Sequence, residues 1–215
     1  MYKNTSIVIF LGLVCSSCLF AETNPVNRPF YVGASGGFGS TTWQGLVPSQ
    51  NNKNFATATS VPFQVKEGGT VWGVFAGYEI TPYFALEANY RHYPSARVTF
   101  DEFSIFASEH DDCLSFNTDT ETASLMAKVM LTVPKTTMRV YSGVGLAAIH
   151  RVDELTKKTQ ISPSFGAGFV VNVTPRFMVD FGFNYTAGYG ESEMNPCQSY
   201  IPFLYSGSIG FAYRI

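Results

Sequence analysis

Three observations predict an all-β fold, an eight-stranded antiparallel up-and-down transmembrane β-barrel. The first is the final stretch, which alternates to its last residue. Phe203, Tyr205, Gly207, Ile209, Phe211, Tyr213 and Ile215 share one face, and Leu204, Ser206, Ser208, Gly210, Ala212 and Arg214 the other. A period of two is that of a β-strand, because successive side chains point to opposite faces. One face aromatic and aliphatic, the other small or charged, is how a strand reads with lipid outside and a narrow lumen inside. The second is that connections alternate between long and short, as they do when long loops collect at one end of a barrel and tight turns at the other. The third is that charges within the strands fall on a single face.

Composition agrees. Charged residues are 14% of the 215, against about 25% in a soluble domain, while aromatics reach 15% and Gly numbers 19. The net charge of −2 gives no nucleic acid partner. Residues 1–21 read as a signal peptide: Lys3 is its positive end, Ile7 to Val14 its apolar core, and Ser16, Ser17 and Ala21 the small residues near cleavage. That core is shorter than the ~20 residues of a membrane-spanning helix. Cys15 and Cys18 do not make a lipidation site, since Gly12 and Cys15 stand where Leu is wanted. Residues 22–215 are then one barrel domain. No other run is long and apolar enough for a spanning helix, and a barrel is the other structure that satisfies every backbone group in lipid.

The elements follow in order. Strand one is Pro29 to Ser40, with Phe30, Val32, Ala34 and Phe38 outward and Tyr31, Gly33, Ser35, Gly37 and Gly39 inward. A long polar loop, Thr41 to Gly69, contains Trp43, Phe55 and Phe63. Strand two is Thr70 to Ile80, with Trp72, Val74, Ala76 and Tyr78 on one face and Gly73, Phe75, Gly77 and Glu79 on the other. After a turn at Thr81-Pro82-Tyr83, strand three runs from Phe84 to Tyr93, with Glu87, Asn89 and Arg91 inward. The second long loop is Pro94 to Thr120. Strand four is Thr122 to Val133, strand five Thr137 to His150, and a charged third loop Arg151 to Gln160. Strand six is Ser162 to Val173, strand seven Phe177 to Thr186, the fourth loop Ala187 to Pro202, and strand eight closes the chain. One turn-and-strand recurs: Ile80-Thr81-Pro82-Tyr83-Phe84-Ala85-Leu86-Glu87 aligns with Val173-Thr174-Pro175-Arg176-Phe177-Met178-Val179-Asp180. Pro is tolerated there because a turn loses no ladder donor.

The inward faces collect Glu87, Arg91, Lys128, Arg139, Asp180 and Arg214, while His92 and His150 share the outward parity only at strand ends. A soluble ligand-binding barrel would put apolar residues inside instead. A charge on the lipid face at mid-bilayer costs ~2–4 kcal/mol, so its absence there favours the membrane. Buried charges need partners, and Glu87 and Asp180 are the expected acceptors for Arg91, Lys128 and Arg139. This lumen charge network either plugs and orders the interior or gates a narrow pore. The first reading is preferred, because eight strands enclose little more than side chains. Trp43 and Trp72 suggest an aromatic girdle on the loop side, and Tyr83, Phe84, Phe177 and Tyr213 one on the turn side. Cys113 and Cys197 fall in loops on one side of the membrane; a disulfide between them is the preferred reading, free thiols the alternative.

Phe30-Tyr31-Val32-Gly33-Ala34, Val74-Phe75-Ala76-Gly77-Tyr78 and the closing strand resemble the eight-stranded outer-membrane β-barrel family typified by the OmpA transmembrane domain and opacity-type surface proteins. The resemblance spans residues 29–215. It implies the outer membrane of a Gram-negative bacterium, outer-membrane lipid as surroundings, and loops that bind a host or matrix ligand, adhesin fashion, or a structural role. The C-terminal residues Ser208, Gly210, Tyr213 and Ile215 resemble the signal read by the barrel assembly machinery during biogenesis; the family usually ends in Phe or Trp, and Ile215 departs from it. With the chain ending at the barrel, no peptidoglycan-binding domain is expected. No cofactor, metal or catalysis is expected either. The alternatives are a lipid A-modifying, deacylase-like enzyme and a narrow solute pore. The deacylase resemblance would want His and Ser two apart on an outward face, whereas His92, His110 and His150 are followed two on by Pro94, Asp112 and Val152.

Overall fold

The computed structural model describes residues 28–46, 62–109, 114–153, 156–189 and 200–215. The leader and both loop cysteines, Cys113 and Cys197, lie outside them. Among the described residues ten strands form one antiparallel sheet. They are β1 (Phe30–Thr41), β2 (Gln64–Lys66), β3 (Gly69–Thr81), β4 (Phe84–His92), β5 (Ala96–Thr99), β6 (Ser115–Thr132), β7 (Met138–Asp153), β8 (Lys157–Asn172), β9 (Phe177–Thr186) and β10 (Leu204–Arg214). Eight of them make the wall, in the circular order β1-β3-β4-β6-β7-β8-β9-β10 and back to β1. The β6–β7 and β1–β10 ladders complete the ring. Closure removes every edge of the wall, the condition for a sheet surrounded by lipid.

The tight connections at Pro82-Tyr83, 133–137 and 173–176 lie at the end where the chain enters and leaves the wall. There Phe30 stands opposite Tyr78, and Ile215 N donates to Phe30 O. The longer connections gather at the other end. Above the wall there, β5 prolongs the line of β4 and pairs with the start of β6, while β2 pairs with β5. Gly68 turns β2 into β3 with φ +88°, a left-handed conformation that glycine adopts without penalty. A turn at Trp43–Leu46 and a short helix, Ile105–Glu109, complete this extension.

The alternation reads as expected within the wall, with Leu125, Val129, Leu131, Val144, Leu146, Phe169, Phe183 and Phe211 exposed on the outside. Three boundaries differ. β6 begins at Ser115 rather than near Thr122, and most of the expected loop Arg151–Gln160 is hairpin, with β7 running to Asp153 and β8 starting at Lys157. The reason is a change of solvent along one strand. On β6 the outward residues are Ser115, Asn117, Asp119 and Glu121, then Ala123, Leu125, Ala127, Val129 and Leu131. Water bathes the first group and lipid the second, so the apolar-out signal stops at residue 123 although the strand does not. Cross-strand neighbours Trp72, His92, Glu121, His150 and Thr159 mark that boundary around the barrel. Below it, Ala123 to Leu131 is nine residues, within the ~9–11 with which a tilted strand crosses the apolar layer.

Candidate functional site

The lumen is built in tiers. At the turn end Glu79 takes both Arg139, at 2.7 Å, and Arg214, at 2.5 and 3.1 Å, all three buried. One tier higher Lys128 Nζ lies 2.6 Å from Glu87 Oε2 and 3.3 Å from Asp180 Oδ2. Tyr31 and Tyr141 donate to those two carboxylates at 2.8 Å each, and Lys128 stands 4.2 Å above the Tyr141 ring. Room for the phenols comes from glycine: a Cβ on Gly182 would lie 2.6 Å from the Tyr141 hydroxyl, and one on Gly77 would overlap the Tyr31 ring. Next comes Arg91, buried and donating to Asn89 Oδ1 at 3.2 Å, with no carboxylate in ion-pair range among the described residues. The void lined by Glu87, Arg91, Lys128, Tyr141 and Asp180 measures about 10 Å³, about the room of one water molecule.

Lys128 thus bridges Glu87 and Asp180, which the repeated turn-and-strand set at one height. Arg139 goes instead to Glu79, and Arg91 to an amide. Glu79 is the inward carboxylate that sequence reasoning left out of the network, though it shares the parity of Gly73, Phe75 and Gly77. Of the terminal residues, Ser208 and Gly210 face the lumen void and Tyr213 faces outward, packed on Phe177 with ring centroids 5.1 Å apart.

The mouth is closed differently. Val71, Tyr93, Ile149, Ile201 and Leu204 form a buried collar, and above it Trp43, Val65, Ala96, Val98, Phe100, Phe106, Phe116 and Tyr200 pack as a second core. Trp43 is 0% exposed, so it stands in no girdle. The turn after β1 swings it over the mouth, where its ring meets Tyr200 at 4.9 Å and Phe116 at 6.0 Å. The Arg151 guanidinium lies 4.6 Å over the indole, donates to Tyr200 O at 2.6 Å, and pairs with Asp153. Glu67 Oε2 accepts from the Trp43 amide at 2.7 Å. Burial pushes the Glu67 carboxyl up from its ordinary value, against the Trp43 and Gln44 amides that pull it down. Arg151 was expected in a loop; its parity with Arg139 and Tyr141 was the available signal.

Of the histidines, His92 Nδ1 lies 3.4 Å from Glu121 and His150 Nδ1 lies 2.8 Å from Thr159 Oγ1, both at the outer rim. His110 is outside the described residues. Among the described residues no group of three or more His, Cys, Asp and Glu is arranged to hold a metal ion.

A closed wall, apolar outside, around a polar interior filled by paired charges is that of a transmembrane β-barrel. The chain belongs to the outer membrane protein beta-barrel domain family, whose model matches residues 7–206. Solved structures agree on the fold. Neisserial surface protein A is 16% identical, with TM-score 0.54 over 87% of this chain and 97% of that one. AlkL is also 16% identical, at 0.52 over 91% and 95%. OprG from Pseudomonas aeruginosa is 10% identical, at 0.52 over 87% and 97%. No curated protein matches in sequence. The protein is therefore an eight-stranded barrel of the bacterial outer membrane.

Proposed function

We infer that this is a non-catalytic surface protein, anchored by its barrel and acting in a structural or adhesive role through the extension at its loop end. The observation that carries the reading is the double closure of the barrel. Among the described residues, a void of about 10 Å³ at the Lys128 tier and a packed aromatic core over the mouth leave little room for a solute, which counts against the pore. Against the deacylase stands the lack of a Ser two residues after any histidine, where Pro94, Asp112 and Val152 follow His92, His110 and His150. Adhesion is supported by Phe103 and Ile105, 77% and 54% exposed beside the short helix. Large apolar side chains held in water mark interaction surfaces. The partner is a host-surface or matrix ligand reached by the loops at 41–69, 94–120 and 187–202. A Cys113–Cys197 bridge tying two of these loops, and reading of Ser208, Gly210, Tyr213 and Ile215 by the assembly machinery, belong to the same reading.

The test is binding of the folded, detergent-purified barrel to host cells and matrix proteins, with folding checked by the gel mobility of unboiled and boiled samples. Saturable binding that falls at least about tenfold in Phe103→Ser/Ile105→Ser, the loss expected for two interface anchors, supports adhesion. Binding unchanged in that variant removes these residues from the role, and no binding by folded protein leaves the structural role. A changed lipid A mass profile on expression would overturn the absence of catalysis.

A further inference from the structure

The upper wall has a seam. The β1–β3 ladder ends at the Gly39–Gly69 pair; above it, among the described residues, β1 continues to Thr41 in a ladder with β10 alone, and β2 pairs with β5 alone. Between the tip of β1 and the edge of β2 away from β5 lies a groove of about 810 Å³, a volume within the ~300–1,000 Å³ of small-molecule sites. Its floor is the lipid-facing wall, Phe38, Phe183, Tyr205 and Gly207, and its upper lip is Val65 and Lys66. Phe38 and Phe183 stand directly on either side of Gly207, on neighbouring strands. A Cβ built on Gly207 meets no atom within 4 Å, and neither does one on Gly36, which stands opposite Ile209, the next outward position of β10. The floor is therefore notched, one residue wide between two phenyl rings; another groove of the apolar band, about 750 Å³ around Val74, Ala88, Ala123 and Leu146, has neither Lys66 nor Arg97 in its lining.

The lip is basic. Lys66 stands directly opposite Arg97 in the β2–β5 ladder, and both are exposed on the outer side. Arg97 donates to Ser115 Oγ at 3.1 Å, and among the described residues neither cation has a carboxylate within ion-pair distance. Like charges directly opposite on a sheet destabilise it, and an anion between them offsets that repulsion. Glu67, the acid at the lip, is turned inward to the Trp43 amide and Thr41.

We propose that the groove binds one molecule of lipid A, the anionic, multiply acylated glycolipid of the outer leaflet. One acyl chain lies in the notch at Gly207 between Phe38 and Phe183, and a phosphate sits against Lys66 and Arg97. The position decides between lipids: the groove is at the loop end of the apolar band, on the outer-leaflet side. The paired cations match a phosphate monoester rather than a zwitterionic headgroup. A lipid held there also bridges the seam.

The test is native mass spectrometry and titration of the purified full-length mature barrel with bisphosphorylated lipid A, its dephosphorylated form and phosphatidylglycerol. The wild type retains one equivalent of bisphosphorylated lipid A and holds the other two more weakly. Gly207→Leu, whose side chain enters open space, keeps normal folded gel mobility and weakens lipid A about tenfold, the contact of roughly two methylenes. Lys66→Glu/Arg97→Glu weakens the phosphorylated form by at least as much and leaves the dephosphorylated form unchanged. Val144→Phe, on the lipid-facing side of β7 away from the groove, changes nothing. Unaltered binding in folded Gly207→Leu, equal loss in Val144→Phe, or phosphatidylglycerol binding as tightly as lipid A each overturns the proposal.

Discussion

The two ends of this barrel are closed by opposite chemistry. Toward the turns, the interior is held by ion pairs: Glu79 with Arg139 and Arg214, then Lys128 between Glu87 and Asp180. Toward the loops it is held by packed rings, Trp43, Phe100, Phe106, Phe116 and Tyr200. The surroundings explain the contrast. Where lipid covers the outside, apolar side chains gain nothing by turning inward, so the apolar face goes out and the lumen keeps the polar residues. Charges there sit far from bulk water and are paired, apart from Arg91, which the Asn89 amide oxygen takes instead. Above the rim row His92–Glu121–His150, water covers the outside and burial of apolar surface again drives packing. Strand parity is unbroken across the row, but the outward face changes character: on β6 it runs Asn117, Asp119 and Glu121 above and Leu125, Val129 and Leu131 below.

The largest test of this contrast is Glu79→Ala. It takes the carboxylate from Arg139 and leaves Arg214 the Arg28 carbonyl at 3.5 Å, and removing one partner of a buried pair costs about 3–5 kcal/mol. Urea unfolding of the barrel in detergent should shift by that amount, and a shift below 1 kcal/mol would mean that the lumen solvates its cations as water does, erasing the difference between the two ends. Trp43→Ala should cost the cap about 3–5 kcal/mol and leave the wall intact. The variant keeps its heat-modifiable mobility, and limited proteolysis should cut the extension while sparing the wall. Loss of the folded band would instead make cap and wall one cooperative unit. The smallest effect is at Glu67. A carboxyl whose folded pKa is raised makes the cap most stable at pH below its ordinary value, and stability falls as pH rises through the folded value. Protease resistance of the cap should therefore decline across that window in the wild type and stay flat in Glu67→Gln; an identical decline in the variant would assign the pH dependence to another group.

Sequence alone carried the wall because period-two patterning and solvent preference are local properties. Strand seven, Phe177 to Thr186, matches β9 to the residue, and the alternation from Phe203 to Ile215 matches β10 to within one residue at each end. It determined the face of each lumen charge for the same reason, since parity along a strand decides in or out. Only the tertiary structure decided who pairs with whom. Register and barrel closure bring Glu79 beside Arg139 from 60 residues away and beside Arg214 from 135, distances across which no local pattern carries information. The upper part of β6, the inward turn of Trp43 and the burial of Arg151 were likewise set by closure. There the outside changes from lipid to water, the apolar-out signal disappears, and the ring of strands supplies the cavity into which loop aromatics fold.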